Sequence, residues 1–192
     1  MSPQAEVRLD ARQRKTRHAL YEALDALLGE RRYADITVTD LVQRAGVGRQ
    51  TFYRHFDSID AMLEHRLSDD LAGQLEFARA HAGATTHIRW VEDVTAFAFA
   101  RASQQRRLYR LILSGQAGSG AMTLFAAQIG EMMNIASAQP GLLPEDPEEA
   151  RFAQSYYAGA VGALMLEWLI ADNGLTPEQM GAMFARLSTP LA

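Results

Sequence analysis

Between Arg49 and His55 stand six side chains that can hydrogen-bond, Arg49, Gln50, Thr51, Tyr53, Arg54 and His55, interrupted only by Phe52. On a helix Phe52 and Phe56 lie four residues apart and share one face, so the polar groups take the rest of the surface. Guanidinium and amide groups can bond two acceptors on a base edge at once, and hydroxyls donate to phosphate oxygens, so this set points to nucleic-acid recognition. A basic group lies nearby: Arg8, Arg12, Arg14, Lys15 and Arg17 fall within ten residues. Charge alone leaves two readings of it, a phosphate-binding arm or a solvated helix face. The net charge of −4 is unevenly spread. Residues 1–57 carry ten Lys/Arg against eight Asp/Glu, and residues 58–192 carry nine against fifteen, so the basic groups gather where the polar face is.

No comparable set exists for catalysis. His18, His55, His65, His81 and His87 include no pair at metal-ligand spacing beside a second ligand cluster. No nucleophile elbow, phosphate loop or dinucleotide fingerprint occurs. There is no cysteine, which excludes disulfides, thiolate metal sites and cysteine nucleophiles and removes any need for an oxidising compartment. The expectation is a protein that is not an enzyme and uses no cofactor and no metal.

A polar face of this kind needs elements that bury its other side. Asp10 and Gln13 have capping-box spacing, and Ala19, Leu20, Leu24, Leu27 and Leu28 follow at helical offsets, predicting a first helix that ends near Gly29. Thr37 and Asp40 open a short second helix carrying Leu41, Val42 and Ala45, which Gly46 stops. A third helix spans 49–55, with Leu41, Ala45, Val47, Phe52 and Phe56 packed inward. Asp57 and Ser58 break the chain before a long fourth helix from Ile59 toward residue 82. Beyond it, helical stretches over 86–103, 104–113, 120–138, 147–172 and 177–187 alternate with loops at 115–120 and 139–147. No strand signal competes, so the fold class is all-α, about nine helices. Residues 1–15 lack an apolar signal region, and the longest apolar stretch, 158–171, is broken by Glu167. Neither secretion nor membrane spanning is expected, and the cytoplasm is the expected place.

Residues 36–56 as a whole resemble the signature of the TetR (tetracycline repressor)/AcrR-type transcriptional regulators. The resemblance is carried by Ala45-Gly46-Val47, Thr51-Phe52-Tyr53 and Phe56 after His55, close to the N-terminus and followed by a long helical region. It implies an N-terminal three-helix helix-turn-helix DNA-binding domain over 1–60 and a C-terminal helical ligand-binding and dimerisation domain over 61–192. It also implies a repressor, acting as a homodimer on a palindromic double-stranded DNA operator and released by a small-molecule effector that is apolar or amphipathic. Position by position, Thr37 and Thr39 would approach the DNA backbone or nearby bases, and Arg49 and Gln50 would read bases. Thr51, Tyr53, Arg54 and His55 would mainly clamp phosphates, joined by Arg14, Lys15 and Arg17, with His55 alternatively a partly buried packing residue. Two positions depart from the pattern. Gly48 stands where Ser or Thr usually caps the third helix, and Ile59 stands where a phosphate-binding Lys is frequent, so one backbone contact is expected to be missing.

Two reading units must be joined at about 34–36 Å to meet successive major grooves, which is why a dimer is expected. Residues 156–170 are apolar nearly all round, as suits a helix buried between its own domain and a partner. Tyr157, Ala160, Leu164 and Trp168 on that stretch, with Met180 and Phe184 on the last helix, are the expected dimer surface. Trp90, Phe97, Tyr109, Met122, Phe125, Met132 and Tyr156 are soft or aromatic groups of the kind that line adaptable pockets, and Arg101 reads either as an exposed surface arginine or as a polar anchor for an anionic group. Their spacing fits pocket lining and core packing equally.

Overall fold

The capping box written in residues 37–40 forms as the sequence demands. The Thr37 hydroxyl oxygen accepts from the Asp40 backbone N–H at 3.2 Å, and the Asp40 carboxylate accepts from the Thr37 N–H at 2.9 Å. Helix α2 (Val38–Ala45) starts there and ends at Gly46, whose φ of 66° is a left-handed setting that glycine adopts without strain. The computed structural model describes the backbone of residues 3–137, 144, 146–171 and 173–188, and the side chains of 12–135, 144, 146–171 and 173–188. Among these the chain is all helical, with nine α-helices and no strand. It divides into two compact units, Met1–Arg66 and Leu67–Ala192.

The first unit consists of α1 (Pro3–Leu28), a 3-10 turn (Tyr33–Asp35), α2, α3 (Arg49–Tyr53) and the opening turns of α4 (Ile59–His81). Its core is Leu20, Ala23, Leu24 and Leu27 of α1 against Leu41, Val42, Phe52, Phe56, Met62 and Leu63, all buried. Ala45 and Val47, expected inside, are only half-buried at its edge. The start of α1 corrects the sequence reading. Asp10 lies within the helix instead of capping it, because the polar residues upstream are competent helix formers that extend the helix past the first apolar residue. Polar ties hold α1 to α4. Arg66 donates to both carboxylate oxygens of Asp25 at 2.8 Å and lies over the Tyr21 ring, whose hydroxyl is 3.0 Å from His65 Nδ1.

The second unit holds the remainder of α4 with α5 (His87–Gln104), α6 (Arg106–Leu113), α7 (Gly118–Ser137), α8 (Pro147–Ala171) and α9 (Pro177–Ser188). Thr86 caps α5, its hydroxyl oxygen accepting from the Arg89 N–H. Helix α5 runs along α9 so closely that a Cβ at Gly181 would lie 2.4 Å from the Glu92 carbonyl oxygen and 2.9 Å from Ala96. Helices α6 and α7 pack on α8, with Phe99, Leu108, Ile112, Phe125, Met165 and Leu169 in the core. The five C-terminal helices lie within two residues of their expected bounds. The loop expected at 139–147 falls mainly on residues outside those described. None of the described helices is long and apolar enough to cross a membrane.

Candidate nucleic-acid interface

Phe52 is completely buried and Phe56 is 5% exposed, so α3 is fixed to the core of the first unit by its apolar side. Arg49, Gln50, Tyr53 and Arg54 consequently face outward, Tyr53 being 49% exposed with its ring edge-on to Phe52 at 5.4 Å. Their hydrogen-bonding groups have no side-chain partner among the described residues, while Thr51 is half-buried. The third helix is shorter than expected. It ends at Tyr53, and Arg54, His55 and Phe56 continue as a turn whose N–H groups return to Gln50 and Phe52 carbonyls. Gly48 precedes the helix in extended backbone with no side-chain cap, as the sequence implied.

The expected phosphate contacts separate into groups. Thr39 is exposed in the first turn of α2. Thr37 is exposed too, but its hydroxyl proton goes to Asp40 at 2.6 Å, so the box and a phosphate would compete for it. His55 corrects the sequence reading further: its Nε2 is buried with no partner, which leaves that nitrogen unable to reach a phosphate. Burial, and then the charges of Arg54 and Arg17, hold its imidazole below the usual histidine range, so the ring stays neutral at pH 7. The same influence shows that Arg17 of α1 comes into the neighbourhood of α3. Arg14 is three residues away on the same side of α1, whereas Lys15 is turned about 100° from Arg14. Arg12, Arg14 and Lys15 are exposed, and the side chain of Arg8 lies outside those described.

Residues 20–65 match the family described as bacterial regulatory proteins, tetR family. The matched stretch contains the whole helix-turn-helix, from Leu20 in α1 to His65 in α4. Members of this family are DNA-binding transcriptional regulators. Solved structures extend the likeness of fold to most of the chain. The TetR transcriptional regulator from Streptococcus agalactiae 2603V is 22% identical, with a TM-score of 0.67 over 96% of this chain and 98% of that one. Thermus thermophilus FadR, a TetR-family transcriptional repressor in complex with lauroyl-CoA, is 18% identical, with a TM-score of 0.64 over 92% and 98%. FadR from Bacillus subtilis in complex with stearoyl-CoA is 14% identical, with a TM-score of 0.66 over 92% and 97%. Among curated protein sequences none matches the chain.

The residues expected to meet an effector do not form one set. Trp90 is buried and its indole N–H donates to the Ala78 carbonyl at 3.0 Å; Phe97 stacks on Phe77 at 4.1 Å. Tyr109, Phe125 and Met132 are buried, Met122 is half-buried, and Tyr156 is 66% exposed. Tyr156 therefore corrects its assignment: it points out of the unit and encloses nothing. Arg101 is a second correction. Its guanidinium is bonded to Asp70, a buried carboxylate, so it is neither an idle surface arginine nor a charge free for an anionic ligand. Among the dimer candidates, Met180 and Phe184 are 2% and 7% exposed within the single chain and leave a partner almost nothing to touch. Trp168 is half-buried, donating to the Leu175 carbonyl at 2.9 Å, and Tyr157, Ala160 and Leu164 are half-buried.

The outward face of α8 is a different one, with Phe152, Tyr156, Gly159, Ala163, Glu167 and Ile170 exposed in a stripe at helical spacing. A cleft of about 340 Å3 in the first unit, lined by Leu27, Arg31, Asp40, Gln43 and Arg44, was also not expected. Arg31 is paired with Asp40, and Arg44 with Glu30, at 3.2 and 2.8 Å.

Proposed function

We propose that the protein is a transcriptional repressor that binds a palindromic DNA operator as a homodimer and releases it when a small apolar or amphipathic effector binds its C-terminal helices. It acts in the cytoplasm and is not an enzyme. The observation that carries DNA binding is the quartet Arg49, Gln50, Tyr53 and Arg54, exposed and without side-chain hydrogen-bond partners on a helix whose opposite side is buried. Side chains that merely solubilise a helix need not be concentrated in the types that bond base edges and phosphates.

The dimer reading is supported by the stripe on α8, which offers Phe152, Tyr156 and Ile170 to solvent when the chain is alone. With Met180 and Phe184 inside the unit, this stripe and the exposed Leu187 of α9 replace them as the dimer surface. The effector reading is supported by the Met and Phe content of α7, where Met122, Phe125 and Met132 can adapt to an apolar chain. The two FadR structures hold acyl-CoA, an amphipathic compound, which makes acyl thioesters the first class to try here.

The decisive experiment is selection of a duplex from a randomised pool by the full chain, followed by gel shift with Arg49→Ala and Tyr53→Ala. Each should weaken binding by about 1–3 kcal/mol while helicity and melting temperature stay as in the unaltered chain. Equal affinity in both variants removes α3 as the reading helix. Lauroyl-CoA and stearoyl-CoA are then added: a raised melting temperature together with lost gel shift supports release, and neither effect argues for a regulator without this effector class.

A further inference from the structure

Asn173 and Gly174 lie exposed where the chain passes from α8 to α9. The Asn173 side-chain oxygen accepts from the Leu175 N–H at 3.2 Å, so the Gly174 nitrogen lies inside the ring of atoms that this bond closes. Gly174 has a φ of 71°, and a Cβ built on it would meet nothing within 4 Å. Its N–H has no carbonyl partner among the described residues. This amide is therefore open to water and hydroxide, with no side chain of its own to hinder it. The chain has one other asparagine, Asn134. It stands inside α7, followed by Ile135, and its side-chain oxygen accepts from Gln154 Nε2 at 3.1 Å. Within a helix the next N–H is directed to a carbonyl of the preceding turn, away from the asparagine side chain.

An asparagine side chain is an amide within reach of the following main-chain nitrogen, so the two can react intramolecularly. Once hydroxide takes the Gly174 amide proton, the nitrogen attacks Asn173 Cγ, and negative charge builds on Oδ1, where the Leu175 N–H already donates. The bond from Gly174 N to Cγ forms, the Cγ–Nδ2 bond breaks, and the departing nitrogen takes a proton from water and leaves as ammonia. The product is a cyclic imide. Water then opens it at either carbonyl. Attack at Cγ gives aspartate; attack at the main-chain carbonyl carbon gives isoaspartate, in which the main chain runs through Cβ and Cγ. The chain and water are the only reactants, and nothing is oxidised or reduced.

We propose that Asn173 is a site of spontaneous modification, converting to aspartate and isoaspartate through this imide, and that the isoaspartate form loosens the start of α9. The additional main-chain carbon falls just before Leu175, whose carbonyl accepts from the Trp168 indole at 2.9 Å. Beyond it Thr176 caps α9: its N–H donates to Gln179 Oε1 at 2.8 Å, and its hydroxyl oxygen accepts from the Gln179 N–H at 3.3 Å. A longer chain here cannot keep both the tie to α8 and the cap of α9 in place. The new carboxylate also stands just past the end of α8, where unpaired helix carbonyls disfavour negative charge. This chemistry is the same whether or not the chain binds DNA.

The test incubates the folded full chain at mildly alkaline pH in heavy-oxygen water, so that only conversion during the incubation is marked. Cleavage after arginine then separates Asn173, on residues 152–186, from Asn134, on residues 111–151. Asn173 should gain heavy oxygen at least about tenfold faster than Asn134, and faster as the pH is raised. Its peptide should hold more isoaspartate than aspartate, read by labelling with an isoaspartate methyltransferase. Asn173→Gln, whose longer side chain must close a larger ring, should take up no label there and keep its melting temperature, while that of the unaltered chain falls as label accumulates. Equal rates at the two asparagines, aspartate without isoaspartate, or label on 152–186 that persists in Asn173→Gln overturns the imide site. Full conversion with an unchanged melting temperature, or an equal fall in Asn173→Gln, overturns the loosening of α9.

Discussion

Ile59 opens α4 beside Asp60, whose carboxylate accepts from the Tyr33 hydroxyl. A lysine at 59 is the expected phosphate anchor, and Ile59 is half-buried, so a lysine there can lay its methylene stem along the same apolar surface and extend its ammonium outward. Ile59→Lys should raise affinity for the selected duplex at low salt. It should also steepen the fall of log affinity with log salt by about 0.9, the signature of one additional phosphate neutralised. Titration at several salt concentrations checks both, and an unchanged slope would place the start of α4 away from the DNA backbone. Residue roles were legible where the governing rule is local. The Thr37–Asp40 box, the left-handed Gly46 and the Phe52/Phe56 face all follow from residues at most four apart. Roles set by distant partners were not. Asp70 meets Arg101 thirty-one positions along the chain, and nothing around Arg101 announces a buried carboxylate. The one available signal was that Asp70 and Gln74 interrupt the inward stripe of α4 four residues apart, which a purely apolar face would not do.

At the scale of elements, the pairing of α5 with α9 makes the sharpest demand on sequence. The backbone carbonyl of Glu92 occupies the space a side chain at 181 would need, and a carbonyl inside a helix cannot swing aside as a long side chain can. Gly181→Ala should therefore lower stability by about 1–3 kcal/mol, read as a lower melting temperature, despite alanine's better helix propensity. Gly162→Ala is the comparison: its Cβ would lie 3.4 Å from the Phe125 ring and 3.5 Å from a Leu113 methyl, atoms that can move by the little required. Comparable losses at both sites would show that α5 and α9 are not held so close. Helix ends were readable because Thr86, Gly46 and the proline-led starts of α8 and α9 act locally. Which neighbour covers a given face was not readable. Periodicity marks Met180 and Phe184 as apolar, but it does not reveal that α5 covers them and that Leu187 remains 68% exposed.

For the molecule as a whole, the question the proposed function raises is how an acidic chain with one short reading helix would grip DNA. One copy offers Arg49, Gln50, Tyr53 and Arg54 with the nearby Arg17, a small set for a specific interface, and a second copy doubles it. Under the proposed function the stripe on α8 supplies the means. Phe152, Tyr156 and Ile170 are each more than half exposed in the single chain, with Gly159 and Ala163 between them where a partner helix can approach closely. Glu167 already sets one charge toward the far end of this face, and a further charge at Tyr156, beside Phe152, would have to be buried on association in both copies of a two-fold contact. If the chain pairs as proposed, Tyr156→Asp should therefore leave it monomeric in sedimentation equilibrium. The monomer's own melting should change little, because the replaced side chain touches mainly Tyr157 and solvent. Binding to the full palindrome should fall to that of an isolated half-site. Met180→Asp is the opposite case: Met180 is inside the unit, so the fold itself should fail before association is affected. A Tyr156→Asp chain that remains dimeric and keeps full-site affinity would move the interface away from this face of α8, and with it the argument that the exposed aromatics of the C-terminal unit are there to join two reading units.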